Sequence, residues 1–236
     1  MIQFYVPDIA DTLTLPESES GHCVRVLRMG EGDRLQCVDG AGFRYICRIT
    51  HAHAKHASVE IESKEYIGCH WTQQIVLAVA PTKNMDRIEW MAEKCTEIGI
   101  NAILPVRCEH SERKEIKISR VGKIMVSAMK QSLKTVLPAL EEMQPVENVL
   151  RNDFPGHKFI CYCGDDVPRR ELAKEYIPGS DAVVLIGPEG DFSPKEVRLA
   201  LENGWIPVSL GASRLRTETA GVYAVSMLHI LNERNT

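Results

Sequence analysis

The sequence predicts an α/β protein in two parts, a small N-terminal β-barrel over residues 1–70 and a parallel-sheet α/β domain over residues 71–236. Three observations carry this reading. Short strand-like runs parted by glycine turns fill the first part. After Gly68, apolar runs alternate with helix-period segments. The loops that follow the later apolar runs are glycine-bearing, as at the carboxyl ends of strands in open α/β sheets.

In the first part, runs at 3–6, 34–38, 43–50 and 57–63 are rich in β-branched or aromatic residues. Gly30-Glu31-Gly32-Asp33 and Asp39-Gly40-Ala41-Gly42 supply turns, and the pattern suits a small barrel. In the second part, the apolar runs lie at 75–80, 102–106, 159–163, 182–186 and 206–210. Between the first two, residues 85–98 place Ile88, Met91, Ala92, Cys95 and Ile98 on one helical face, and Gly99 stands where a helix C-cap is expected. Ser193-Pro194-Lys195-Glu196 reads as a capping box with proline at the first helical position. A last helix over 218–232 is apolar on more than one face. It is either buried within the chain or shared with a partner subunit.

Composition bounds the function. The chain of 236 residues is 44% apolar and 25% charged, so a sizeable core can form. A net charge of −4 does not by itself announce a nucleic-acid partner. No apolar run is long enough to span a membrane, and the N-terminus has no signal-peptide pattern, so a cytoplasmic protein is expected. The eight cysteines include no Cys-x-x-Cys pair. They read as reduced, mostly buried thiols, with neither disulfides nor a metal site.

Two loops carry chemistry. The first, 187–192, reads GPEGDF. It lacks the lysine and glycine spacing of a phosphate loop, and Glu189 and Asp191 would repel a phosphate, so a neutral or cationic ligand fits better. The same acids also suit the helix dipole at Ser193. The second, 211–219, reads GASRLRTET. It sets Arg214 and Arg216 beside Glu218, flanked by Thr217 and Thr219. A surface ion pair with a threonine N-cap explains this locally. The functional reading puts Arg216 and Glu218 in a pocket shared with the first loop.

Basic residues cluster as well. Residues 107–134 hold eight Lys or Arg against three acids, and residues 21–56 hold six against three, with four histidines. Such runs are either solvated faces or a polyanion surface.

Four segments occur in order: HCVRVLRMGEGD, DRIEWMAEKCTEIGI, LIGPEGDFSPKEV and LGASRLRTETA. Together they resemble the RsmE family, bacterial methyltransferases of small-subunit ribosomal RNA, over essentially the whole chain. The resemblance implies an N-terminal PUA-like RNA-binding β-barrel, a C-terminal SPOUT α/β domain with a trefoil knot, and a homodimer. It implies S-adenosyl-L-methionine as cofactor and N3 of one uridine in the decoding region of 16S ribosomal RNA as target. It assigns cofactor contacts to Gly187, Pro188, Glu189, Gly190, Leu210, Gly211, Leu215, Arg216, Thr219 and Ala220. Arg216 and Glu218 become catalytic candidates, and His22, Arg25 and Arg28 RNA contacts. The sequence departs from the family pattern at Gly21, His110, Lys130, Lys134 and Asp191. Two rival readings keep the fold: methylation of another RNA, and a non-catalytic RNA-binding assembly protein.

Overall fold

A computed structural model describes residues 2–234, which form two compact units. The first takes in the chain up to Trp71 together with residues 126–137, and the second takes in the rest.

In the first unit, strands β1 (Gln3–Tyr5), β2 (Arg34–Val38), β3 (Phe43–His51) and β4 (Ser58–Tyr66) form a sheet in that order. β1 is parallel to β2, and the other pairs are antiparallel. Two register shifts between β3 and β4 mark bulges, which bend a ladder and increase its twist. Phe4, Leu35, Cys37, Tyr45, Cys47 and Ile49 alternate inward and build the core with Ile9 and Leu15. The strands follow the expected runs, β4 extending three residues further. Two short helices, α1 (Ile9–Thr12) and α2 (Glu17–Gly21), and a π-helical turn (His22–Val26) were not anticipated. The π turn covers the segment that holds His22 and Arg25, and Arg28, just beyond its Leu27 cap, has φ +58°. Residues in the left-handed region and π turns both recur at functional positions.

In the second unit, β5 (Ile75–Val79), β6 (Ala102–Arg107), β7 (Ala139–Leu140), β8 (Gln144–Pro145), β9 (His157–Cys161), β10 (Arg170–Glu171), β11 (Ala182–Ile186) and β12 (Ile206–Ser209) pair only in parallel. The order is β10-β12-β9-β11-β5-β6-β7, with β8 also on β6. All five residues of β11 are buried, the pattern of a central parallel strand covered on both faces. β9 starts two residues before the expected run and stops at Cys161, because the Cys163 N–H donates to the Asp191 carboxylate and not to a strand.

The helices are α3 (Met85–Ile98), α4 (Ile118–Gln131), α5 (Val146–Arg151), α6 (Leu172–Glu175), α7 (Pro194–Glu202) and α8 (Thr217–Glu233). α3 begins at Asn84, whose side chain accepts from the Asp86 N–H, and ends at Gly99 as expected. The capping box of α7 forms as read: Ser193 and Glu196 each accept the other's backbone N–H. Arg216 occupies the N-cap position of α8 without a side-chain cap bond, so the threonine N-cap is corrected: Thr217 is already the first helical residue. α4 accounts for much of the basic run at 107–134. Its Lys130 is used inside the first unit, where Nζ lies 2.6 Å and 2.8 Å from the Glu19 carboxylate oxygens. Among the described residues no helix is long and apolar enough to cross a membrane.

α8 approaches β5 and α3 closely at Gly221. A Cβ there would stand 2.8 Å from Met91 Sδ and 3.2 Å from Leu77 Cδ2. A side chain at this position overpacks a dense core. Gly221→Val is therefore expected to lower stability by about 1–3 kcal/mol, read as a lower Tm and denaturant midpoint. An unchanged midpoint would show that α8 has slack here.

Candidate active site

A cavity of about 990 Å³ opens where β9, β11 and β12 end. Its size lies at the upper end of the roughly 300–1,000 Å³ usual for small-molecule sites. β11 pairs with β9 on one side and with β5 on the other, and the chain crosses over in opposite senses from these neighbours. Such a switch point leaves a crevice at the carboxyl edge.

The loop 187–192 forms one wall. Gly187 and Pro188 are buried, and Asp191 N–H donates to Pro188 O at 3.0 Å, closing a turn. Four neighbouring segments hold this turn. Thr217 Oγ1 donates to Gly187 O at 3.1 Å. The Lys83 N–H donates to Glu189 Oε1 at 3.2 Å. His110 Nδ1 lies 3.1 Å from Gly190 O and 3.0 Å from Asp191 O. Both partners are carbonyls, which only accept, so this nitrogen carries the proton. Asp191 Oδ2 accepts from the Cys163 N–H at 2.9 Å, and Oδ1 accepts from the Phe192 N–H at 2.8 Å. Asp191 has φ +61°, a conformation that Asp tolerates better than most residues. His110 is itself positioned by α7, since Glu196 of the capping box also accepts the Glu109 N–H at 2.8 Å. Two of the positions that depart from the resemblance, His110 and Asp191, are thus bonded to each other's segment.

Of the expected site residues, Gly187, Pro188, Glu189, Gly190, Leu210, Gly211, Leu215, Arg216, Glu218 and Ala220 line the cavity. Thr219 is exposed and is not among the lining residues; the neighbouring Thr217 is. His22, Arg25 and Arg28 belong to the first unit. There His22 packs on Phe4 with ring centroids 5.9 Å apart, and Arg25 and Arg28 are exposed.

Glu218 stands in the first turn of α8, only 7% exposed. Oε1 faces Arg87 Nε at 3.7 Å, while Oε2 is buried without a hydrogen-bond partner. The ion pair expected from Arg214 or Arg216 therefore comes, among the described residues, from Arg87. Arg87 was missed in the sequence because it lies 131 positions away on the first turn of another helix. Its only local sign is the Asn84 cap. Arg169, Cys161 and Cys163 also line the cavity. Arg169 donates to Tyr162 O at 3.3 Å and pairs with Asp165 at 3.3 Å.

Neither cysteine sits where a thiolate is favoured. Burial, then the charges of Cys163 and Asp191, pushes the Cys161 thiol far above its ordinary range. Burial and then Asp191 raise Cys163 as well, against the opposing charges of Arg169 and Arg214. At neutral pH both stay protonated, and a thiol attacks only as its thiolate.

Two family models match the chain, an RNA methyltransferase domain over residues 70–229 and an RNA methyltransferase PUA domain over residues 15–62. The chain belongs to this RNA methyltransferase family. It has an N-terminal PUA domain and a C-terminal RNA methyltransferase domain. It is 26% identical over 246 residues to ribosomal RNA small subunit methyltransferase E of Bacillus subtilis (strain 168), covering 95% of this chain and 92% of that one. The crystal structure of a probable rRNA-methyltransferase from Porphyromonas gingivalis shares 43% identity and a TM-score of 0.95 over 100% of both chains. A ribosomal RNA small subunit methyltransferase E from Neisseria gonorrhoeae, solved bound to S-adenosyl methionine, shares 26% identity and a TM-score of 0.86 over 98% of both.

The raised thiol of Cys163 gives a pH prediction. A raised pKa lowers the thiolate fraction at any pH below it, so alkylation by iodoacetamide at about pH 8 should run slower than for a free cysteine. Asp191→Asn should speed it. Mass spectrometry of the Cys163 peptide reads both rates. Alkylation as fast as free cysteine would contradict this description of the cavity.

Proposed function

We propose that this family member transfers a methyl group from S-adenosyl-L-methionine to N3 of one uridine in the decoding region of 16S ribosomal RNA. The observation that carries the reading is Glu218: a buried carboxylate beside a glycine-proline turn, with one oxygen facing Arg87 and the other without a hydrogen-bond partner.

The cavity residues fit the cofactor. The cofactor is cationic at sulfur and at its amino group, and it bears no phosphate. Glu189, Asp191 and Glu218 present carboxylates to the cavity beside four arginines, Arg87, Arg169, Arg214 and Arg216, and among the described residues no lysine lines it. Ile186, Leu210, Leu215 and Ala220 supply apolar wall for an adenine ring, and Gly187 and Gly190 let backbone come close. Gly187, Pro188, Glu189, Gly190, Leu210, Gly211, Leu215, Arg216 and Ala220 are the residues assigned to hold it, and Thr219, exposed and outside the lining, is not among them. When bound, it supplies a methyl group on sulfonium sulfur, open to in-line displacement.

The remaining work falls to the chain's own groups. Uracil N3 is a poor nucleophile until it gives up its proton. Glu218 Oε2 takes that proton, while Arg87 keeps Oε1 engaged and the carboxylate oriented. Arg216, exposed at the rim, stabilises negative charge that spreads onto the uracil oxygens. Residues 1–70 act as the RNA-binding domain through His22, Arg25 and Arg28, and residues 71–236 act as the catalytic domain. We infer that the latter is knotted and dimeric and that the protein works in the cytoplasm. Exposed Tyr223 and Ile230 on α8, with Trp90 on α3, support a partner-shared helix face.

Glu218→Gln is expected to reduce single-turnover methyl transfer by about 100-fold or more, while cofactor affinity changes by less than about 3-fold, and Arg216→Ala is expected to reduce transfer by more than it weakens cofactor binding. Rapid-quench transfer and calorimetric titration separate the two. Equal losses in both would remove the catalytic roles and leave only binding.

A further inference from the structure

The segment HAHAKH, between β3 and β4, gathers three imidazoles on the surface of the first unit. His53 and His56 stack with centroids 3.7 Å apart, and His51 lies nearly parallel to His53 at 6.1 Å, 11° between planes. The loop is not loose. The Ala57 N–H donates to Ser20 Oγ at 3.0 Å, and Leu15 N–H donates to Ala57 O at 2.9 Å. A Cβ on Gly21 would stand 3.6 Å from Ala54 O, so the loop lies against the end of α2, where the π turn bearing Arg25 begins. Arg25 and Lys55 are close enough for their charges to act on His53.

Facing charges come from every side of this cluster: Lys55 from the loop, Arg25 from the π turn, and Glu31, whose Oε1 lies 3.3 Å from His51 Nδ1. Desolvation, then His56, His51, Lys55 and Arg25, hold His53 below its ordinary value. His53, beside two fixed cations and two further rings, resists protonation until an anion arrives. The rings are not arranged for a metal, since among the described residues no group of His, Cys, Asp or Glu is placed to hold one. An anion with repeated charges, lying along Arg25, Lys55 and the rings, answers this chemistry better than a single small ion.

We propose that His51, His53, His56 and Lys55 form a proton-coupled contact for RNA phosphates that extends the surface of Arg25. This rests on the reading that the first unit binds RNA. A bound phosphate favours the imidazolium forms, so the histidines' values rise on binding. The sign follows: the extra affinity is full below the free-state values and is lost as pH rises through the bound-state values, within roughly pH 5 to 8.

The test uses the full chain and a fluorescein-labelled oligouridylate, with anisotropy at about pH 6 and about pH 8 and constant ionic strength. Wild type should bind about 10-fold tighter at the lower pH, with a steeper salt dependence there. The triple variant His51→Gln/His53→Gln/His56→Gln should change by less than about 2-fold between the two. A His53→Arg/His56→Arg variant, permanently charged, should regain tight binding at the higher pH. A triple variant that keeps the wild-type pH response overturns the proposal alone, as does an arginine variant that binds no tighter than wild type at the higher pH. Wild type that binds no RNA at either pH overturns both the proposal and the RNA reading beneath it.

Discussion

The site depends on one turn. β11 is buried along its whole length, and its exit at 187–192 must satisfy backbone groups that no neighbouring strand can reach. The Thr217 and His110 side chains satisfy its carbonyls, and the turn's own Asp191 and Glu189 carboxylates accept the backbone N–H groups of Cys163 and Lys83. Each bond also fixes a piece of cavity wall. Thr217 carries Glu218 as its next residue, and Cys163 carries the rim toward Arg169. The capping box of α7 adds a further tie, because Glu196 caps its own helix and holds the segment bearing His110. Preorganisation of this kind lets a site favour its reacting geometry without rearranging at the moment of reaction.

A buried carboxylate with an unpaired oxygen is costly to keep. At Glu218 the cost is moderated by its place at the positive end of α8 and by Arg87 across the cavity. The cationic cofactor of the proposed reaction suits the same field, which explains why a loop built like a ligand loop carries acids where a phosphate loop carries lysine. The thiols of Cys161 and Cys163 line the same cavity, where burial first and Asp191 after it push both upward.

Much of the second unit was legible because its signals are local. The run 182–186 emerges as β11 unchanged, and α3 and α7 keep the caps that the residues announce. The lining of the cavity by 187–190 and 210–220 follows once strand ends are placed, though Thr219 points to solvent while Thr217 turns inward. What was not legible rests on distant partners. No local pattern shows that Arg87 answers Glu218, or that Lys130 is occupied by Glu19 and so withdrawn from any basic surface. The π turn over His22–Val26 follows directly on α2 in a run where β structure was expected, because short helical turns have too few residues to show a period. His110 and Asp191 read singly as departures from a family pattern. In the structure they are one arrangement, a ring nitrogen and a left-handed Asp locking the same turn.

The central claim is that this cavity and its Glu218 carboxylate together methylate uracil N3. The measurement that tests it most directly is transfer of labelled methyl from S-adenosyl-L-methionine to small ribosomal subunits lacking this modification, with the modified base mapped by mass spectrometry. The account predicts a single new N3-methyluridine in the decoding region. Transfer to a base nitrogen elsewhere, or cofactor binding without transfer to these subunits, would contradict it.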